Sequence, residues 1–124
     1  MLREGPIPLG AHGLLEYGVG ALLIVAPFLF GFDSDAAVAV GIVGGVLVIV
    51  FAAVSDTPTG LVRRLPTAVH AAVDYVFAAA MIAVPFLADF SDEGGPTAFF
   101  IALGIAHLLV TIGTRFKPAR ERPR

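Results

Sequence analysis

Cysteine and tryptophan are both absent from this chain, and charge is scarce. Without cysteine there are no disulfides, no thiolate metal ligands and no cysteine nucleophile. Charged residues make up only 15% of the 124 positions and hydrophobic ones 57%. A water-soluble domain carries about 25% charged and about 45–50% apolar residues. A soluble chain of this length would have too much surface to cover with so few charges, so the composition calls for a lipid bilayer as solvent. The net charge is −2, and there is no basic stripe and no interleaving of basic with aromatic residues. That excludes nucleic acid as a partner.

What is present is apolar and arranged in four blocks. They run from about Pro8 to Phe30, Ala36 to Val54, Pro66 to Leu87 and Thr97 to Thr114. A bilayer core needs about 20 residues of helix, and each block comes close to that. Blocks this long, apolar on every face, are read as membrane spans rather than buried core helices. The breaks between them hold Asp33, Ser34 and Asp35, then Ser55 to Arg64, then Asp89 to Pro96, which are turn-rich and charged. The first block contains His12 and Glu16 and is too long for the apolar core of a signal peptide, so it is expected to be a retained helix.

Basic residues are missing from two of the three connections. Arg3, Arg63, Arg64, Arg115, Lys117, Arg120, Arg122 and Arg124 all fall at the N-terminus, in the middle loop or in the C-terminal tail. The other two loops carry Asp33, Asp35, Asp89, Asp92 and Glu93 instead. Short loops rich in Lys and Arg stay in the cytoplasm. The expected location is therefore the cell membrane, with both termini and the middle loop inside. The basic tail, residues 115–124, is expected to rest near anionic headgroups.

The blocks also repeat. Pro8-Leu-Gly-Ala-His12-Gly-Leu-Leu-Glu16-Tyr17 matches Pro66-Thr-Ala-Val-His70-Ala-Ala-Val-Asp74-Tyr75 at an offset of 58, and Pro27-Phe28-Leu29 matches Pro85-Phe86-Leu87 at the same offset. Phe32 and Phe90 continue the match; beyond them, two extra residues in the last loop bring Gly44 opposite Gly104. The expected fold is all-α, a membrane four-helix bundle made of two tandem helical hairpins, residues 8–54 and 66–114, joined by a linker at 55–65. A two-span unit returns to its starting side, so the copies are parallel. They should be related by a pseudo-twofold axis along the membrane normal.

This pattern, His-x-x-x-acid-Tyr followed by an apolar stretch, Pro-aromatic-Leu and a second helix, all of it repeated, resembles the SPW-repeat family of small prokaryotic membrane proteins. The resemblance covers about Pro8 to Thr114. The family's Ser-Pro-Trp tripeptide corresponds here to Ala26-Pro27-Phe28 and Val84-Pro85-Phe86. The resemblance implies a fold and a topology, and it implies no activity, cofactor or substrate.

The candidate site is a set of ionisable residues inside the spans. His12 and Glu16 are four apart, as are His70 and Asp74, a spacing that puts two side chains on one helix face. His107 lies eight residues before Arg115. At a rise of about 1.5 Å per residue, Glu16, Asp74 and His107 all sit about 12 Å from the inner boundary, with His12 and His70 one turn shallower. Three uses compete for the five side chains. They can tie the bundle together through hydrogen bonds between helices. They can relay protons or ions, as intramembrane His and acid chains do. They can also bind zinc or iron, although no Glu-x-x-His or His-x-x-x-His spacing is present. The structural use is the leading expectation, and neither a metal nor any other cofactor is expected. No serine with a nearby base is evident in the sequence, so no enzymatic activity is expected either.

Tyr17 and Tyr75 follow the two acids and are expected to bond to the other repeat. Pro27 and Pro85 are expected to end or kink the first and third helices near their outer ends, with a gating hinge as the sharper alternative. Gly41, Gly44 and Gly45, with Ala102, Gly104 and Ala106, are expected to allow close packing within the bundle, or against a second copy or another membrane protein.

Overall fold

The computed structural model describes residues 6–114. The basic residues at the two ends, Arg3 and Arg115 to Arg124, lie outside the described residues. Four helices form: α1 (Leu9–Leu29), α2 (Asp35–Val54), α3 (Thr67–Leu87) and α4 (Gly94–Gly113). Each is long and apolar enough to cross a membrane, and the first and third are as hydropathic as spans despite the acid that each carries.

Proline opens both leading helices. Pro8 and Pro66 sit in extended conformation at the N-cap, where the missing N–H costs nothing. Both helices also close alike. Gly31 and Asp89 adopt left-handed backbone, at φ 64° and 63°. The N–H of Phe32 then reaches back to the carbonyl of Pro27, and that of Phe90 to Pro85, both at 2.9 Å. This is the Schellman closure that satisfies the last carbonyls of a helix. Pro27 and Pro85 lie within the final turns of α1 and α3, two residues before each helix ends.

Each hairpin closes on a glycine. A Cβ at Gly104 would come within 2.9 Å of the Ala78 carbonyl and 2.8 Å of Ile82; a Cβ at Gly45 would collide with the Gly20 carbonyl and with Ile24. Gly20 and Ile24 stand 58 residues before Ala78 and Ile82, so the two contacts are one contact made twice. Gly45 therefore corresponds to Gly104, and the expected match of Gly44 is corrected. A Cβ at Gly44 meets nothing. The loop between α3 and α4 carries one extra residue rather than two, which makes the offset 59 throughout α2 and α4. The buried positions agree with it: Ala37, Gly41, Gly45, Val48 and Ala52 in α2 fall opposite Pro96, Phe100, Gly104, His107 and Thr111 in α4.

Within each hairpin the helices pack along their length, whereas the two hairpins meet through side chains. At the end with the acidic loops, Phe32 and Phe90 turn inward against Phe99 and Phe100, with ring centroids 5.6–6.1 Å apart. There the carboxylate of Glu93 also accepts the backbone N–H groups of Asp33 (2.7 Å) and Ser34 (2.9 Å), at the N-terminus of α2. An anion is favoured at a helix N-terminus, so this contact joins the two outer loops. At the opposite end Ile7 pairs with Thr114, and Leu65 pairs with Ser55. These two bridges are equivalents of each other, exchanged between the repeats as a twofold along the bundle requires. Leucines and valines such as Leu14, Val43, Leu47, Val76 and Leu109 are exposed around the outside, the faces that lipid covers.

Candidate functional site

His12 and Glu16 lie on the buried stripe of α1, and His70 and Asp74 on that of α3, because a spacing of four keeps both members of each pair on the face turned to the other hairpin. His107 comes from the buried stripe of α4. The structure brings all five side chains together, each no more than 4% exposed.

The shortest contacts run between the repeats. His12 Nε2 is 2.9 Å from Asp74 Oδ2, and His70 Nε2 is 2.8 Å from Glu16 Oε1 and 3.0 Å from Oε2. Contacts within one helix are slightly longer, 3.1 Å for both His12–Glu16 and His70–Asp74. The two imidazoles and two carboxylates thus form a closed ring of contacts. His107 Nε2 adds a fifth contact, 3.3 Å from Asp74 Oδ1.

The far nitrogens of two of the imidazoles are held as well. His12 Nδ1 is 2.8 Å from the Thr114 hydroxyl and His70 Nδ1 is 2.5 Å from that of Ser55. Each hydroxyl donates its single hydrogen to the carbonyl four residues back: Thr114 to Val110 and Ser55 to Phe51, both at 2.6 Å. A hydroxyl whose hydrogen is committed can only accept. Both imidazoles therefore carry a hydrogen on Nδ1 and donate it outward, which leaves Nε2 directed at the carboxylates. Phe51 stacks on the His70 ring at 4.6 Å, and Phe77 meets His107 edge-on at 5.2 Å.

The twofold is broken at one position. Val48 stands where α4 has His107, so Asp74 receives a donor that Glu16 lacks. Among the described residues, Glu16 Oε1 is the buried side-chain polar atom left without a hydrogen bond. It is near His70 Nε2, but the N–H of that ring is aligned with Oε2. Beside it a cavity of about 270 Å³ opens between α2 and α3, lined by Glu16, Val48, Phe51, Asp74, Phe77 and His107.

Tyr17 departs from expectation. Its hydroxyl donates to the Thr59 carbonyl at 2.9 Å, in the inner linker rather than in the second repeat. The corresponding partner of Tyr75 would fall beyond Thr114, outside the described residues. Ser55 and Thr114 are the residues that sequence reasoning missed. At an offset of 59 they are equivalent hydroxyls, each directly after a second helix; an offset of 60 sets Ser55 against Arg115 and hides the pair.

Four apolar spans with internal twofold symmetry and a ring of buried ionisable groups define a multi-pass membrane protein. The chain belongs to the SPW repeat domain family, whose model matches residues 10–114. No curated protein and no solved structure matches it.

Proposed function

We propose that the cluster is a polar lock fastening the two hairpins, in a non-enzymatic protein of the cell membrane with both termini and the 55–65 linker in the cytoplasm. The observation that carries this reading is the exchange of contacts: His12 and His70 are each nearer the acid of the other repeat than the acid of their own. Such an arrangement ties the halves together at a depth where lipid supplies no hydrophobic drive between helices. The orientation rests on Arg63 and Arg64 at one end of the bundle and the acidic loops at the other. The apolar outer faces fit lipid, or a second copy or another membrane protein.

Removing part of the lock leaves charge without a partner, at about 2.5–3.5 kcal/mol for a charge at the centre of a span. Asp74→Asn should therefore lower the unfolding temperature in detergent well below that of Asp92→Asn, an outer-loop control. The cavity touching Glu16, Asp74 and His107 favours a second reading, in which the cluster moves protons or ions. On that reading Asp74→Asn and Glu16→Gln would stay folded and abolish a proton flux in liposomes. Unstable variants, with no flux even in the parent, support the lock.

A further inference from the structure

The geometry points to a divalent transition-metal site at the centre of the lock, in which His12 Nε2, His70 Nε2, Asp74 Oδ2 and the Glu16 carboxylate hold one ion of the zinc class. The inference deepens the lock reading and rests on it for the convergence of the four side chains.

Four observations carry it. First, one ligand atom from each of these residues lies within 4.8 Å of every other, and all four residues are buried. Bonds of about 2.0–2.2 Å from nitrogen and carboxylate oxygen to zinc set ligand atoms about 3.4 Å apart, so the 2.8–3.1 Å contacts of the ring open slightly and the longer separations, none above 4.8 Å, close. Second, the hydroxyls of Thr114 and Ser55 hold the Nδ1 hydrogens of the two imidazoles. Fixing the tautomer through the outer nitrogen is how proteins orient a metal-binding histidine, and here it is done twice. Third, the acids are prepared differently. His107 occupies Asp74 Oδ1 and leaves Oδ2 facing the centre, whereas Glu16 Oε1 is buried without an aligned hydrogen bond, its near neighbour being His70 Nε2 at 2.8 Å. A buried carboxylate oxygen without an aligned donor is poorly satisfied, and a cation satisfies it. Fourth, charge balances. Without an ion, each of the two cross-repeat contacts between Nε2 and a carboxylate must share one proton. A divalent ion in place of those two protons leaves the net charge of the ring unchanged, which matters where charge is poorly solvated. Nitrogen and oxygen ligands in a four-coordinate set suit zinc, and cobalt(II) is its spectroscopic substitute.

The test uses the full chain, purified in detergent and stripped with a chelator, with Co²⁺ and Zn²⁺ as probes. One equivalent of Co²⁺ should give the intense visible absorption of a four-coordinate ion, and one equivalent of Zn²⁺ should abolish it. Ser55→Ala, which removes an orienting hydroxyl and no ligand, should weaken binding by roughly 10–100-fold. Glu16→Gln should remove the signal while the chain stays helical and monodisperse. If Glu16→Gln does not fold, Ser55→Ala alone decides. The site is overturned if Co²⁺ keeps the weak absorption of its hydrated form in the folded parent, or if Ser55→Ala binds as the parent does. The lock is tested separately, by the stability of Asp74→Asn with chelator present, so a failure of the site is told apart from a failure of the lock.

Discussion

At the scale of single residues, the difference between Val48 and His107 decides how the two carboxylates are served. Both positions are buried and equivalent under the twofold, yet only His107 offers an N–H, and Glu16 Oε1 is left without one. A histidine at 48 would supply the missing donor, and the cavity alongside has room for it. With chelator present, Val48→His is expected to raise the unfolding temperature in detergent, consistent with about 1 kcal/mol for one hydrogen bond. Val48→Leu, which adds bulk and no donor, should give no such gain. A second expectation concerns Asp89, whose left-handed backbone matches that of Gly31. Asp89→Gly removes the steric cost of a Cβ there and should be neutral or mildly stabilising by the same measurement. Much of the cluster was legible in the sequence. His12, Glu16, His70, Asp74 and His107 are conspicuous because ionisable residues are costly inside apolar runs. The hydroxyls of Ser55 and Thr114 were not, because Ser and Thr are unremarkable at helix ends and only the correct register shows them to be a pair.

At the scale of elements, glycine fixes how closely each hairpin closes. Gly45 faces the backbone of α1, and Gly44, its neighbour, faces open space. Gly45→Ala and Gly104→Ala should each destabilise the protein by about 1–3 kcal/mol through overpacking, whereas Gly44→Ala should be neutral or slightly stabilising. Equal effects at 44 and 45 would contradict the register assigned to α2 and α4. The helices were legible because each is a long apolar run bounded by proline, glycine or acidic residues. The offset of the second pair was not. In that region the sequence is made of similar small and aliphatic residues, and a shift of one position changes the apparent match very little. Burial separates the alternatives because it reports which face of the helix is turned inward. Glu93 was equally out of reach. Its bonds to Asp33 and Ser34 join residues 59 and 60 positions apart, and no local pattern signals them.

At the scale of the whole molecule, two hairpins form one bundle through aromatic and Glu93-mediated contacts at the acidic end and exchanged His–carboxylate contacts towards the other. The proposed topology rests on charge, since Arg63 and Arg64 share a connection and the two acidic loops hold no basic residue. Cysteines introduced at Ser34 and Gly94 should both react with an impermeant thiol reagent applied from outside the cell; reaction at only one would contradict parallel hairpins. The central claim is that the buried ring couples the two repeats. The most direct measurement is a double-mutant cycle across the shortest contact, with Glu16→Gln, His70→Ala and the double variant unfolded in the same detergent with chelator present. Residues that share one network couple by about 0.5–3 kcal/mol, and independent ones add to within about 0.3–0.5. The lock predicts a coupling between Glu16 and His70 in the first range; additive losses, or no loss in either single variant, would contradict it.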